Sequence, residues 1–202
     1  MIKWLDKTVL RWFVNFLWPE YYRPAENYQP NWKILRNYFF FQKILRINGK
    51  VKWPVHFTSL VMGADRIKKG FMCDPGDSPN CYIQAFQGIH FGSNVEIAPG
   101  CKLISSNHDL EDFSKAMPSK GPIEIGSNVW IGANCVILPS VKIGSNVVIG
   151  AGSIIVKDIP SNSIAVGNPC KVIKDKKLYA VDINKIKLNR NIQKPKKGNT
   201  VE

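Results

Sequence analysis

The chain has 202 residues, 45% of them hydrophobic, and a formal net charge of +13. The length allows one medium-sized domain with its own core, and no apolar run is long enough to form a membrane-spanning helix. The positive charge lies at the two ends. Residues 1–50 carry nine Lys/Arg against three Asp/Glu, residues 171–202 carry ten against three, and the middle carries nine of each. Nucleic-acid binding would need a basic element on the folded body, so we expect no nucleic-acid partner.

The N-terminal segment, residues 1–18, is rich in apolar and aromatic side chains. Lys3, Lys7 and Arg11 fall at helical spacing, and Pro19 ends the segment. Residues 32–47 have a similar composition. Such basic, aromatic helices can pack on the folded body, or they can lie in a membrane interface. Both interpretations stay open, and the second would place the protein in peripheral contact with the inner face of a membrane through residues 1–18.

The cysteines indicate a reducing compartment. Their number, five, is odd, and no two of them form a C-x-x-C pair. Clustered histidines are also absent from the sequence, so neither a zinc site nor a disulfide framework is expected. Reduced thiols are typical of cytoplasmic proteins. We therefore expect a cytoplasmic protein without a bound metal.

A six-residue repeat dominates the centre of the chain. Ile occupies positions 125, 131, 137, 143, 149 and 155. Gly follows four of these isoleucines, and the fifth position of each repeat is small or β-branched. A period of six is neither helical nor a simple strand alternation, and it indicates a solenoid.

The repeat predicts how the coils stack. If three hexapeptides make one coil, then Ile125 lies under Ile143, Ile131 under Ile149 and Ile137 under Ile155. We expect the small fifth residues to let the chain turn at corners, and Gly to permit backbone angles that other residues resist. The ends of such a solenoid must be covered, which the N-terminal segment could do.

One polar loop interrupts the repeat. It begins in the sequence LISSNHDLEDF, residues 103–113, and extends over about residues 106–122. Cys101 and Ile125 are separated by 24 residues, a multiple of six, so the loop extrudes without disturbing the coils. It contains His108, one of three histidines. Loops on a rigid scaffold are where function concentrates.

The repeats, the NHD at 107–109, the GSNVWIGAN at 126–134 and the GNPCKVIK at 167–174 resemble the hexapeptide-repeat acyltransferases. The maltose, galactoside and xenobiotic acetyltransferases and the sugar O-acetyltransferases of polysaccharide clusters are the most similar groups. The resemblance implies a mainly β fold, namely a left-handed parallel β-helix, and a homotrimer. It divides the chain into an N-terminal helical segment (1–52), the β-helix domain (53–174) and a basic C-terminal extension (175–202), whose last ten or so residues we expect to be disordered.

The resemblance also implies the reaction and its base. These enzymes transfer an acyl group from acyl-CoA to a hydroxyl or an amine, and a loop histidine at the position of His108 takes the acceptor proton. A histidine suits this role because its pKa lies near neutrality. The group that orients the imidazole stays open among Asp109, Glu111, Glu124 and a backbone carbonyl.

Further positions match residues of the family that contact acetyl-CoA. Trp130 matches a tryptophan beside the pantetheine arm, and Ala133 and Ala151 match backbone contacts to the thioester and the pantetheine. Lys157 matches a phosphate contact, although Val156 departs from the usual Thr before it. Lys171 and Lys174 stand where relatives often have Arg, which weakens bidentate phosphate binding. On the acceptor side we select Gln84, Asn94 and Asn107.

The sequence therefore predicts an acetyl-CoA-dependent O-acetyltransferase. Its acceptor would be a free or lipid-linked saccharide of bacterial cell-surface polysaccharide biosynthesis. Acetylation of a small xenobiotic or an amino sugar is an alternative within the enzymes. A non-catalytic β-helix that binds a partner is the alternative from another class.

Overall fold

The computed structural model describes residues 2–21, 29–109, 111 and 121–179. These residues form a left-handed parallel β-helix with a helical segment at its N-terminal end. Each coil contributes one strand in turn to three parallel sheets, which form the three sides of a prism. The expected fold class is confirmed.

Sheet 1 contains β1 (Leu60–Met62), β3 (Tyr82–Gln84), β6 (Lys102–Ile104), β9 (Val136–Ile137) and β12 (Ile154–Ile155). Sheet 2 contains β2 (Ile67–Lys68), β4 (Ile89–Phe91), β7 (Ile123–Ile125) and β10 (Lys142–Ile143). Sheet 3 contains β5 (Val95–Ile97), β8 (Val129–Ile131), β11 (Val147–Ile149), β13 (Ser163–Val166) and β14 (Lys171–Asp175). Strand β14 turns back and pairs antiparallel with β13, so it covers the edge of sheet 3.

The core is a stack of aliphatic side chains. Ile143 lies opposite Ile125, Ile149 opposite Ile131, and Ile155 opposite Ile137, as the repeat predicts. The fifth residues of the repeats, which we expected to let the chain turn, are buried as well; they are Val129, Cys135, Val141, Val147, Ser153 and Ile159. Each hexapeptide thus contributes two inward side chains.

A Ser-Asn pair forms each corner between sheets 2 and 3. The asparagines of this column, Asn94, Asn128, Asn146 and Asn162, all have a positive φ between 56° and 59°. Two of their amide contacts join neighbouring coils: Asn94 Nδ2 donates to Asn128 Oδ1, and Asn146 Nδ2 donates to Asn162 Oδ1, both at 2.8 Å. Asparagine, not glycine, therefore supplies the left-handed conformation here.

The repeat glycines have a different role from the one predicted. Gly126, for example, does not have a positive φ. A Cβ on Gly126 would lie 2.7 Å from the backbone nitrogen of Ser145 in the next coil. Glycine is needed at this position because neighbouring coils approach too closely for a side chain.

The N-terminal cap, which we define as described residues 2–21 and 29–53, contains two helical segments. The first comprises α1 (Ile2–Leu5), a π-helical stretch Asp6–Leu10 and α2 (Arg11–Leu17). The second comprises α3 (Asn31–Ile34) and a π-helical stretch Leu35–Ile44. They share a small core of Val14, Trp18, Tyr21 and Ile34, separate from the solenoid core. A short 3-10 turn, Ala64–Arg66, follows β1.

Polar side chains join the cap to itself and to the first coil. The carboxylate of Asp6 accepts hydrogen bonds from the backbone N–H groups of Asn31 (3.1 Å) and Trp32 (2.9 Å), so it caps the start of α3. Gln42 is completely buried. Its Oε1 accepts from Trp18 Nε1 (2.9 Å) and its Nε2 donates to the carbonyl of Trp53 (2.9 Å).

A buried ion pair lies under the cap. Lys69 Nζ is 3.1 Å from Asp74 Oδ1, and it also donates to the backbone carbonyl of Glu20 in the cap. Burial, followed by the neighbouring carboxylate of Asp74, raises the pKa of Asp77 to about 8. Asp77 is therefore protonated in the folded protein at neutral pH.

The cap thus packs on the first coil, which is one of the two interpretations that the sequence left open. No helix within the described ranges has both the length and the hydropathy to cross a membrane. The expected disorder at the C-terminal end falls in residues 180–202, outside the described residues, and so do loop residues 112–120. The three predicted segment boundaries stay predictions.

Candidate active site

The three histidines have different surroundings. His56 Nδ1 is 2.8 Å from Thr58 Oγ1, and its ring stacks on Phe57. His90 lies on sheet 2 between Lys68 and Glu124, and burial followed by Lys68 lowers its pKa. His108 is exposed, four residues after the end of β6, where the chain leaves the coil. Of the three, only His108 lies on the loop that interrupts the repeat.

A buried glutamine anchors the start of this loop. Gln84 is 9% exposed, and its Oε1 accepts hydrogen bonds from both the backbone N–H and the Oγ of Ser106, each at 3.1 Å. Its Nε2 lies 3.5 Å from the Ser106 carbonyl. The Oγ of Ser105 accepts from the Gln87 N–H at 2.9 Å. The backbone two and three residues before His108 is therefore fixed to the coil below.

Two candidates for orienting His108 have other partners. Asp109 Oδ1 accepts a hydrogen bond from the Glu111 N–H at 2.9 Å, which stabilises the local turn. Glu124 Oε1 is 3.2 Å from Lys142 Nζ on sheet 2. The group that orients the imidazole stays an open prediction.

Three of the expected acetyl-CoA contacts lie together. Trp130, on β8, is 50% exposed on the outer face of sheet 3. Ala133 lies at the corner that follows β8, and Ala151 lies at the equivalent corner after β11, one coil further along. The Ala133 carbonyl accepts from the Gly152 N–H at 2.8 Å, so the two corners stack directly.

The lysines of β14 extend the same surface. Trp130 pairs with Val148, Val148 with Ile164, and Ile164 with Lys174, so these side chains form one row across sheet 3. Three strand spacings separate Trp130 from Lys174, which is roughly 14 Å. Lys171 lies on the same exposed edge strand, opposite Val166.

Lys157 does not join this group in one chain. It is exposed and follows β12, at the corner between sheets 1 and 2. His108 leaves the solenoid at the same corner, two coils away. A single chain therefore divides the predicted residues between two corners of the prism.

The acceptor candidates are also separated. Asn107 is exposed beside His108, whereas the amide of Gln84 is directed to Ser106. Asn94 lies at the corner between sheets 2 and 3 and bonds to Asn128. The structure gives Gln84 and Asn94 clear scaffold roles, and their contact with an acceptor stays a prediction.

Two cavities lie away from His108 and Trp130. One of about 830 Å³ opens between the cap and the first coil, lined among others by Glu20, Arg46 and Asp65. Another of about 410 Å³ lies on sheet 2, beside Lys142 and Glu124, which is one of the candidates for orienting His108.

The cysteines lie inside the protein, away from the reaction surface. All five are free thiols and buried. Cys135 is completely buried in the solenoid, where its thiol donates to the Gly150 carbonyl at 3.2 Å. It cannot reach a thioester bound on the outer surface, which favours direct transfer to the acceptor over a cysteinyl acyl-enzyme.

The anchoring of the loop by Gln84 was not predicted from the sequence. Gln84 and Ser106 are 22 residues apart and belong to different coils. The signal that could have found it is the register itself, since β3 and β6 are neighbours and a polar residue ends β3 just where the loop begins.

Comparisons with known proteins identify the family of the chain. Residues 122–157 match the family described as bacterial transferase hexapeptide (six repeats). The YJL218W protein of Saccharomyces cerevisiae, which carries the name of an acetyltransferase, is 33% identical over 164 residues, covering 65% of this chain and 83% of that protein.

Two solved structures are similar as well. A maltose O-acetyltransferase from Clostridium difficile is 41% identical, with a TM-score of 0.46 over 50% of this chain and 56% of that one. The N-acyltransferase AntD from Bacillus cereus, at 19% identity, has a TM-score of 0.50 over 61% of this chain and 80% of that one, and it supports the fold alone. On the match to the yeast protein and on its repeats, the chain belongs to the hexapeptide-repeat acetyltransferases.

Proposed function

We propose that the protein is an acetyl-CoA-dependent O-acetyltransferase that acts on a saccharide hydroxyl, with His108 as general base. The observation that carries the proposal is the position of His108. It is exposed on a loop that leaves the solenoid between β6 and β7 in a chain of this family.

The residues divide the chemistry as follows. An alcohol is a poor nucleophile at neutral pH, so His108 takes the hydroxyl proton as the oxygen attacks the thioester carbonyl. The backbone N–H of Ala133 donates to the negative charge that develops on the carbonyl oxygen. The C–S bond then breaks, which leaves the acetyl group on the sugar oxygen. His108 passes the proton to the leaving thiolate of CoA.

Acetyl-CoA supplies an activated acetyl group, and the row on sheet 3 suits its length. Trp130 offers an exposed apolar surface for the pantetheine arm, with Ala151 contributing its backbone. Lys157, Lys171 and Lys174 are exposed cations for the phosphates. We expect alanine at Trp130 or Lys157 to raise the KM for acetyl-CoA more than that for the acceptor. The opposite ranking would place acetyl-CoA elsewhere.

We further propose a homotrimer with the active site between subunits. The proposal is supported by the division of the predicted residues between two corners of one chain. A neighbouring copy would bring the corner of His108 and Lys157 against the surface of Trp130. Sedimentation analysis that found a stable, active monomer would overturn this arrangement.

The acceptor that fits best is a sugar of cell-surface polysaccharide biosynthesis, either free or lipid-linked. This choice rests on the resemblance of the NHD and GNPCKVIK motifs to the sugar O-acetyltransferases. Acetyl transfer would take place in the cytoplasm, which suits a protein with five unpaired thiols.

The test is acetyl-CoA turnover against a panel of free and lipid-linked saccharides, with amino sugars and small amines as comparison acceptors. We expect acetyl transfer to the hydroxyl of one sugar class, identified by mass spectrometry. Transfer only to amines would contradict O-acetylation, and no transfer to any acceptor would contradict the proposed function.

A further inference from the structure

We propose that the N-terminal cap binds the surface of an anionic lipid bilayer through its outward aromatic face. This inference rests on the cap alone and does not depend on the proposed acetyl transfer. The sequence restricted the suggestion to residues 1–18, whereas the structure identifies a surface formed by both helical segments.

The first helical segment has two different apolar faces. Val14 and Trp18 are buried in the core of the cap. A second stripe is exposed to solvent: Leu5 (44% exposed), Val9 (50%), Trp12 (67%), Phe13 (37%) and Phe16 (69%). Their spacing is that of one continuous helix face. The rings of Trp12 and Phe16 stack on each other with centroids 5.7 Å apart, whereas Phe13, the least exposed of the five, contacts Phe39 of the second segment.

The second helical segment continues this surface. Trp32, Phe40 and Ile44 are exposed at four- and eight-residue spacing, with exposed fractions of 43%, 53% and 56%. Lys33 and Arg36 lie 5.7 Å and 5.1 Å from the Trp32 ring. Tryptophan beside long basic side chains is the combination found where proteins contact the lipid headgroup region.

The exposed face is not needed to hold the cap in place. The cap is attached to the first coil by other contacts: Lys69 Nζ donates to the Glu20 carbonyl, and Gln42 Oε1 accepts a buried hydrogen bond from the Val55 N–H. A helical segment with both faces apolar, of which only one is occupied, leaves a large apolar surface for a partner.

Charge identifies that partner as anionic. Residues 1–50 carry a net charge of +6, and Lys33 and Arg36 are exposed beside the Trp32 ring. A second copy of the chain joined through the same face would bring two such positive surfaces together. An anionic bilayer attracts such a surface electrostatically.

The geometry corresponds to a protein that lies on the membrane. No helix of the described part of the chain meets the criteria for a membrane span. The aromatic side chains would enter the boundary between headgroups and acyl chains, and the basic side chains would remain at the phosphates.

The full-length protein should be tested by co-sedimentation with vesicles of phosphatidylcholine, with and without phosphatidylglycerol. We expect binding to the vesicles that contain phosphatidylglycerol, weaker binding to phosphatidylcholine alone, and a decrease as salt is raised. The double variant Trp12→Ala/Phe16→Ala should lower the vesicle-bound fraction about tenfold or more. Lys33→Glu/Arg36→Glu should lower it mainly for the anionic vesicles.

The control is Lys177→Glu/Leu178→Ala, a basic and an apolar residue that are both exposed near the other end of the described chain, beyond β14. It should bind vesicles as the parent does. Circular dichroism would verify that each variant is folded. Equal binding by the parent and the Trp12/Phe16 variant, or no binding to anionic vesicles, would overturn the proposal. If the parent did not bind vesicles and the Trp12/Phe16 variant formed a smaller oligomer than the parent, the aromatic face would be a contact between copies of the chain and the proposal would be overturned.

Discussion

The solenoid and the N-terminal cap achieve stability in two different ways. In the solenoid, each coil repeats the contacts of the coil below, so Ile125 and Ile143 meet as Ile131 and Ile149 do. In the cap, contacts such as those of Gln42 and Asp6 occur once. The stacked isoleucines of the solenoid are almost completely buried, whereas the cap leaves Trp12 and Phe16 largely exposed.

This difference shows which kinds of information a repeat contains. The stacking contacts of the solenoid recur in every repeat of the sequence. A substitution at one repeat position therefore meets the same close approach of the neighbouring coil wherever it is made. The contacts of the cap do not recur in the sequence, and each depends on one polar side chain. Substitutions in the two regions should therefore fail in different ways.

The largest expected effect is at Gly126. A Cβ there would lie 2.7 Å from the Ser145 nitrogen, which is backbone and cannot move without displacing the next coil. We expect Gly126→Ala to lower the free energy of unfolding by about 4 kcal/mol or more, measured by urea denaturation of the purified protein.

Gly152 provides the matched control. It has a φ of +71°, but nothing lies within 4 Å of a Cβ built on it. Gly152→Ala should cost about 1–2 kcal/mol, from backbone strain alone. If Gly152→Ala were the more harmful of the two, close approach between coils would not be what requires glycine in the repeat.

The second effect concerns the joint between the two regions. Gln42→Leu removes the acceptor of Trp18 Nε1 and of the Val55 N–H, and leaves both donors buried. We expect a loss of about 3 kcal/mol in the free energy of unfolding. Near-ultraviolet circular dichroism should change first in the cap tryptophans. The control is Gln87→Leu, at a half-buried position where the backbone N–H makes the described contact; equal losses in the two variants would contradict the role of Gln42.

The third effect distinguishes an anchor from an acceptor contact at Gln84. Gln84→Met keeps the length of the side chain but removes its hydrogen bonds to Ser106. If Gln84 positions the loop of His108, kcat should fall about tenfold while the KM for the saccharide changes little. Gln84→Glu, which keeps an acceptor for Ser106, should recover part of the rate. A raised saccharide KM with unchanged kcat would instead support the contact expected from the sequence.

The smallest effect is a pH dependence under the cap. The pKa of Asp77 is raised in the folded protein to about 8, so the folded state holds a proton that the unfolded state releases above about pH 4. The stabilisation of the folded state that comes from protonated Asp77 is complete at low pH, and it is lost as the pH rises towards 8. Asp77→Asn should be more stable than the parent at pH 8, by about 1 kcal/mol or more. The difference between the two should shrink at pH 5, as thermal unfolding would show; a constant difference would contradict the raised pKa.

Much of the solenoid could be predicted, because the repeat determines which residues of successive coils lie opposite each other. The stacking of Ile125, Ile131 and Ile137 on their partners follows from a three-hexapeptide coil, and the loop of His108 follows from the 24-residue gap. That the fifth residues are also buried was not predicted, because a period of six does not by itself show which positions point inward. The role predicted for Gly126 was wrong, since a sequence does not show how closely two backbones approach.

The cap and the loop anchor could not be derived in the same way. Trp18 and Gln42 are 24 residues apart, and neither belongs to a repeat. A glutamine in an aromatic helix reads as a solvent-facing residue, and only the packed structure shows it completely buried. The hydrogen bonds from Gln84 to Ser106 became visible only when the register of β3 and β6 placed the two residues in neighbouring coils.

The central claim is that the loop histidine, and neither histidine of the scaffold, performs the chemistry. The most direct test compares the rate of acetyl transfer from acetyl-CoA in the parent, His108→Ala and His90→Ala. We expect His108→Ala to lose about 10²–10⁴-fold in kcat, as for removal of a general base, and His90→Ala to retain nearly the parent rate. Equal rates in the parent and His108→Ala, or a larger loss in His90→Ala, would contradict the account.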